Sequence, residues 1–151
     1  MKTDPGEWAF WDTSALLPLC CRQPASSAMR RLARSHRRII AWWGSSVEAH
    51  GALRRLVRDG ALDEEGLTQA LARLALLRRS WAEVQPHDQL RELATRVLDQ
   101  SPLRSADALQ LAAALVACGE RPRRRPFVCL DDRLAVAAAQ AGFTVLPAAR
   151  R

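Results

Sequence analysis

The sequence has no uninterrupted apolar run near the ~18 residues that a membrane-spanning helix needs. Its first twenty residues lack the basic start, apolar middle and small-residue cleavage site of a secretory signal peptide. These absences argue against an integral membrane protein and against a secreted one. The sequence therefore predicts a cytoplasmic protein with no membrane partner.

Cysteine is scarce and poorly spaced for cross-links. The four cysteines are Cys20, Cys21, Cys118 and Cys129, and no two of them form a C-x-x-C pair. A disulfide between the adjacent Cys20 and Cys21 would have strained geometry. The pattern argues against a disulfide framework and a zinc site, and it favours reduced thiols.

Lysine is almost absent, since Lys2 is the one lysine among 23 basic residues. Against 16 acidic residues the formal net charge is +7, which suits a polyanionic partner such as RNA. GC-rich coding produces the same excess of Arg and Ala. Charge alone therefore leaves open a nucleic-acid partner and a merely soluble basic surface.

The chain does contain a regular alternation of strand-like and helix-like segments. Its 151 residues suit a single domain, 1–151, and 48% hydrophobic residues suffice for a core. The predicted strands are 8–11, 38–42, 81–84, 127–130 and 143–146. The predicted helices begin at Ser14, with a break between Pro18 and Pro24, and continue over 25–33, 45–60, 63–79, 87–98, 106–117 and 133–140. Strands that alternate with helices predict βαβ units and a parallel sheet.

Four carboxylates follow strands or open helices: Asp12, Glu48, Asp107 and Asp131. Each has a structural explanation of its own. Asp12 and Asp131 suit helix N-caps, and Glu48 completes a capping box with Ser45. Asp107 lies in a first helical turn, where the helix dipole favours a carboxylate. In a parallel sheet, however, all four positions share one edge.

Carboxylates that converge on one crevice repel each other unless a cation neutralises them or they take up protons. Oxygen ligands select Mg²⁺ or Mn²⁺, which bind through few carboxylates together with substrate phosphates. An acidic site on a basic protein suits metal-assisted phosphodiester cleavage, because arginines hold the backbone while the ion activates water. The pattern thus predicts a Mg²⁺ or Mn²⁺ site.

Four stretches in order carry a family resemblance: residues 12–16 (DTSAL), 46–48 (SVE), 103–112 (LRSADALQLA) and 127–134 (FVCLDDRL). In this order and spacing the chain, from residue 8 to 146, resembles the PIN-domain ribonucleases found as VapC-type toxins in bacterial toxin–antitoxin pairs. The resemblance implies a three-layer α/β/α fold with a central, mainly parallel sheet. It also implies a metal-dependent endoribonuclease that acts as a toxin.

The resemblance assigns Asp12, Glu48, Asp107 and Asp131 as the catalytic and metal-binding quartet, with Mg²⁺ or Mn²⁺ as cofactor. Asp131 is chosen over Asp132 because the family's acid stands three residues before the leucine, here Leu134. The expected supporting residues are Thr13 or Ser14, which orient the first acid or bind phosphate, Asp132 beside the last acid, and Arg104, Arg133, Arg123 and Arg124 along the RNA backbone. A solvated basic loop explains Arg123 and Arg124 equally well. Cys129 departs from the family, which often has Thr or Ser there.

The resemblance also implies partners. The helical hairpin at about 46–79 is similar to the helical pair on which such toxins receive their antitoxin, and homodimers are usual in the family. The expected partners are therefore an RNA substrate, a small antitoxin and a second copy of the chain.

Two other classes of function compete with the ribonuclease. A PIN-like module that binds RNA or protein without cleavage would keep all four acids as helix caps. A second enzyme class is a haloacid-dehalogenase-type phosphatase, but that chemistry needs an Asp at position 14, where Ser14 stands. A response-regulator receiver needs its acidic pair first, whereas here Asp131-Asp132 comes last.

Overall fold

The computed structural model describes residues 8–148 of the chain. Residues 1–7 and 149–151 of the predicted domain lie outside this part. Within it the chain forms the following strands and helices: β1 Trp8–Trp11, α1 Thr13–Cys20, α2 Ser26–Ser35, β2 Arg38–Trp42, α3 Ser45–Arg58, α4 Glu64–Ser80, β3 Ala82–Val84, α5 Asp88–Gln100, α6 Ser105–Ala117, β4 Pro126–Val128, α7 Asp132–Ala141 and β5 Thr144–Leu146.

The strands form one parallel sheet in the order β3-β2-β1-β4-β5. In its register Phe10 of β1 pairs with Ile40 of β2 on one side and with Phe127 of β4 on the other. Strands β2 and β3 lie on one side of β1, and β4 and β5, which come later in the chain, lie on its other side. The order reverses between β1 and β4, which places a crevice beyond the carboxyl ends of these two strands.

Strand β1 is buried on both faces and joins the two halves of the core. Trp8 and Phe10 pack with α5, α6 and α7, whereas Ala9 and Trp11 pack with α1 to α4 on the opposite face. This follows from the two-residue period of a strand, which sends successive side chains to opposite faces. The predicted three-layer α/β/α fold with a parallel sheet is confirmed.

The predicted break between Pro18 and Pro24 is present but starts after Pro18, and the predicted end of the fourth strand is wrong. Pro18 lies inside α1, and the break follows Cys20. Proline removes one hydrogen bond from a helix, and α1 ends two residues later. Strand β4 ends at Val128, because the chain then turns and the N–H of Leu130 donates to the Ser14 hydroxyl at 2.9 Å. That turn carries Asp131 toward β1.

The predicted helical hairpin is present, since α3 and α4 pack against each other. Gly60 turns the chain between them with a left-handed φ of +75°, which favours glycine. Asp63 then caps α4 by accepting a hydrogen bond from the N–H of Gly66 at 2.7 Å. Across residues 8–148 we find no helix that is both long enough and apolar enough to cross a bilayer.

Candidate active site

A crevice of about 560 Å³ opens beyond the carboxyl ends of β1 and β4. Its walls come from the N-terminal ends of α1, α6 and α7 and from the face of α3 between Glu48 and Arg55. The polar side chains that line it are Thr13, Glu48, Arg55, Arg104, Asp107, Asp131 and Arg133. The structure thus brings three of the predicted acids to one site, and Asp12 lies next to Thr13 at its edge.

Asp12 ends β1 and is almost fully buried, with 4% of its surface exposed. Its Oδ2 accepts hydrogen bonds from the N–H of Ser14 at 3.2 Å and from the Ser14 hydroxyl at 2.5 Å. Burial raises the pKa of Asp12, the bonds from Ser14 lower it, and the charge of Asp131 raises it. Asp12 therefore caps α1, as its structural explanation predicts, and Ser14 has the predicted orienting contact.

Cys129 occupies the position where the resembled family often has a hydroxyl residue. Its Sγ lies 3.7 Å from Oδ2 of Asp12 and 3.3 Å from the carbonyl oxygen of Asp131. Burial raises the pKa of this thiol, so it stays protonated and can donate. The thiol therefore stands in for the hydroxyl as a weak donor between the first and last acids.

Glu48 lies in the first turn of α3, half-buried beside the crevice. The capping-box explanation for it is wrong, because Gly44 is the N-cap and no side chain caps this helix. Glu48 instead accepts hydrogen bonds from Thr13 Oγ1 and Gln110 Nε2, both at 3.4 Å. Burial and the charge of Asp12 raise its pKa to about 7, against the lowering effect of these two bonds.

Asp107 and Asp131 face each other across the crevice from α6 and α7. Asp131 Oδ1 accepts from the N–H of Leu134 at 2.8 Å and caps α7. Asp107 makes no hydrogen bond or ion pair within residues 8–148 and caps no helix. It does lie in the first turn of α6, as predicted, where the helix dipole favours a carboxylate. Burial raises the pKa of Asp107, the charges of Asp131 and Asp12 raise it further, and Arg104 lowers it.

The acids are spaced around the crevice and do not touch. Within the described 141 positions, residues 8–148, no three acidic, histidine or cysteine side chains lie close enough together to ligate one ion. The four carboxylates nevertheless interact through their charges, because Asp12 affects Glu48 and Asp131 affects both Asp12 and Asp107. Mg²⁺ needs one or two carboxylates and keeps several waters. By their chemistry these oxygen donors therefore fit Mg²⁺ or Mn²⁺.

Arginines also line the crevice. Arg104 and Arg133 do so as predicted, and Arg55 does so without having been predicted. The four ion pairs that the described residues form involve none of them, so their guanidinium groups are open to a ligand. Arg55 stands seven residues after Glu48 on α3, which is two helical turns and hence the same face. That spacing in the sequence is the signal from which Arg55 could have been predicted.

The remaining predicted site residues lie elsewhere. Arg123 and Arg124 belong to the loop before β4, at the amino end of the sheet, and so are remote from a crevice at the carboxyl ends. Asp132 is exposed and lines a separate apolar groove together with Leu103 and Val136. The structure therefore groups Asp131, and not Asp132, with the other acids.

Gln110 is a second polar residue, besides Arg55, that was not predicted from the sequence. It is fully buried on α6, and its Nε2 lies 2.9 Å from Thr13 Oγ1, 3.1 Å from Ser45 Oγ and 3.4 Å from Glu48 Oε1. It connects α6 with α1 and α3 behind the crevice. The signal was a lone amide in an otherwise apolar helical segment, three residues and thus about one turn after Asp107.

The fold is similar to that of PAE2754 from Pyrobaculum aerophilum. The crystal structure of that protein matches with a TM-score of 0.63 over 91% of this chain and 89% of that chain, at 21% sequence identity. At this identity the likeness shows the fold alone. No protein-family model and no curated protein matches the chain. The residues of the crevice are therefore the basis on which a function can be inferred.

The raised pKa of Glu48 predicts how stability depends on pH without divalent metal. Glu48 holds its proton in the folded chain up to about 7, against an ordinary value of 4.5. The folded state therefore binds more protons in this window, and the free energy of unfolding should fall as the pH rises through it. The slope should be at most about 1.4 kcal/mol per pH unit for this one group. Urea unfolding in EDTA at several pH values measures it.

A Glu48→Gln variant is the control, since its amide does not titrate. Its stability should change less across the same pH window than that of the original protein. The raised pKa values of Asp12 and Asp107 act in the same direction and remain in the variant. Equal slopes for the two proteins would contradict the assignment to Glu48.

Proposed function

We propose that this protein is a metal-dependent endoribonuclease of the PIN-domain type, acting as the toxin of a toxin–antitoxin pair. The observation that carries the proposal is the crevice beyond β1 and β4. It combines carboxylates whose charges oppose one another with arginines that form no ion pair within residues 8–148. This combination suits an ion and a polyanion bound side by side.

The acids, hydroxyls and arginines of the crevice would each have a different role in phosphodiester cleavage. One or two of Asp12, Glu48, Asp107 and Asp131 would ligate the cation directly and the others through its waters. Ser14 and Thr13 would keep Asp12 and Glu48 in place. A bound Mg²⁺ or Mn²⁺ lowers the pKa of water and stabilises a leaving oxygen. The guanidinium groups of the crevice would bind the phosphates on either side of the cleaved bond. Burial of Asp12 keeps bulk water from the innermost carboxylate.

Helix capping does not account for all four of the predicted acids. Asp12 and Asp131 each cap a helix, which agrees with a non-catalytic binding module. Glu48 and Asp107 cap nothing, and burial raises the pKa of both. Each lies in a first helical turn, where the helix dipole favours a carboxylate, but that position requires neither burial nor a raised pKa. Functional sites commonly contain carboxylates perturbed in this way.

The antitoxin and a second copy of the chain are proposed partners, expected on α3 and α4. This hairpin exposes Val47 at 69% and Leu76 at 64% of their surfaces. A groove of about 540 Å³ between its helices is lined by Val47, Leu71 and Leu74. Exposed apolar side chains beside an apolar groove are typical of protein-binding surfaces.

The proposed activity predicts that purified protein cleaves a mixed RNA pool in Mg²⁺ or Mn²⁺. Excess EDTA should stop the cleavage, and added Mg²⁺ should restore it, because the carboxylates alone supply no Lewis acid. Gel analysis of the RNA measures this. Equal cleavage in EDTA would indicate another nuclease. Its absence in every condition, from protein free of any bound partner, would favour the binding module.

A further inference from the structure

A further cavity lies at the opposite end of α1 from the acidic crevice. Its volume is about 890 Å³, and it is formed by the end of α1, the segment before α2, α2 itself and α4. Its polar lining consists of Arg22, Gln23, Ser26, Ser27, Arg30 and Arg73. No carboxylate lines it. The cavity is therefore positively charged with no acidic counterpart.

The arginines of the cavity have few partners of their own. Within residues 8–148, Arg22 and Arg30 take part in no ion pair. Arg73 donates one hydrogen bond, from Nη1 to the carbonyl oxygen of Cys20 at 3.2 Å. This bond satisfies a carbonyl at the end of α1 and leaves the other guanidinium N–H groups of Arg73 unused. Three like charges around one cavity repel each other unless an anion enters.

Helix α2 adds partial positive charge to the same cavity. Its N-cap, Ala25, provides no side-chain hydrogen bond, and its first turn contains no acidic residue. Ser27 lines the cavity from this turn. The N–H of Ser26 bonds to the carbonyl oxygen of Gln23 at 3.0 Å, but no side chain caps the N–H groups that follow it. Such groups favour an anion, and here they lie beside arginines.

We propose that this cavity binds a phosphate group, at a site separate from the acidic crevice. Guanidinium groups form bidentate pairs with both carboxylates and phosphates, but a phosphate has more charge and more acceptor oxygens. It therefore suits the three arginines of the cavity better than a single carboxylate would. Thr13 and Cys20 are the two ends of α1, so about 12 Å of helix separates the two sites. The phosphate belongs either to a single-stranded RNA backbone or to a free phosphate.

The test compares two neighbouring arginines of α2 by charge reversal. Both are exposed, but Arg30 lines the cavity whereas Arg31 lies outside it. Both substitutions, Arg30→Glu and Arg31→Glu, change the net charge equally. Binding of a short fluorescein-labelled RNA is measured by anisotropy in excess EDTA, so that neither cleavage nor the metal contributes. Arg30→Glu should weaken binding about tenfold and Arg31→Glu less than about twofold.

A second arm of the experiment identifies the source of the phosphate. Inorganic phosphate should raise the melting temperature of the original protein and not that of Arg30→Glu, if free phosphate binds. A response to RNA alone assigns the site to the RNA backbone, and the salt slope of binding should then fall by about 0.7 per lost contact. Circular dichroism checks that each variant folds. Arg22→Ala, in the segment before α2, is a second variant that removes a different arginine of the cavity.

Equal behaviour of the Arg30 and Arg31 variants in both arms would overturn the proposal, since it would leave only non-specific charge. The same equality is expected if the cavity binds an acidic protein segment, because then neither RNA binding nor the effect of phosphate would depend on Arg30. That result would also overturn the proposal. Because every measurement is made in EDTA, the outcome does not depend on whether the crevice cleaves RNA.

Discussion

Replacing Asp12 or Asp107 with asparagine should lower RNA cleavage by about a thousandfold, because the loss of one charged ligand removes several kcal/mol of transition-state stabilisation. The change is nearly isosteric. In Asp12→Asn the amide side chain would keep an oxygen that can accept from the N–H of Ser14, so α1 retains its cap. Asp107 makes no hydrogen bond within residues 8–148 that its replacement would break. Single-turnover cleavage rates at saturating Mg²⁺ measure the effect.

A thermal unfolding experiment separates this loss from damage to the fold. Burial and neighbouring carboxylates raise the pKa of both Asp12 and Asp107, so their charged forms destabilise the metal-free chain. Each asparagine variant should therefore melt at or above the temperature of the original protein in EDTA. The rise in melting temperature that Mg²⁺ gives to the original protein should shrink or disappear.

Asp131 and Asp132 provide the matched control. They are adjacent, but Asp131 lines the crevice while Asp132 lines a separate groove. Asp131→Asn should abolish cleavage, whereas Asp132→Asn should change it less than about threefold, as expected of an exposed side chain outside the site. If both variants retained full activity, the crevice would not be the catalytic site.

The sequence predicts the elements of the fold and the edge at which the acids meet, since both depend on local signals. Strand β1 is a short apolar run that ends in Asp12, and parallel strands carry such end residues to one edge. The exact start of the break after Cys20 and the turn after Val128 were not predictable, because each depends on contacts made elsewhere in the fold. Leu130 leaves the sheet to bond with Ser14, which is 116 positions away.

Prediction of the sites from the sequence has the same limit, as Arg55 and the phosphate cavity show. The position of Arg55 follows from α3 and could be read from its spacing to Glu48. The cavity requires Arg73 of α4 to approach Arg22 and Arg30, and no periodicity in the sequence indicates that approach. Residues that face one another from separate elements become visible only when the packing is known.

Gln110→Leu should weaken the apparent affinity for Mn²⁺ about 10- to 100-fold, as losses of supporting hydrogen bonds around metal ligands do. Gln110 Nε2 faces Thr13, Ser45 and Glu48, and the variant leaves these oxygens without that donor. Glu48 then loses one of the two bonds that favour its charged form. The unfolding free energy should fall by about 1–3 kcal/mol, offset in part because the unpaired Oε1 of Gln110 also disappears. Mn²⁺ titration followed by electron paramagnetic resonance measures the affinity.

Leu111→Ala distinguishes this positioning role from general destabilisation of α6. Leu111 is buried on the same helix and belongs to the core with α5 and α7. Its truncation should cost about 2–5 kcal/mol of stability, which is as much as or more than Gln110→Leu costs. The Mn²⁺ affinity should nevertheless stay within about threefold, because the side chain of Leu111 has no hydrogen-bonding group and so holds none of the acids in place. A common loss of affinity in both variants would show that Gln110 acts only through packing, and that the carboxylates of the crevice need no amide to hold them.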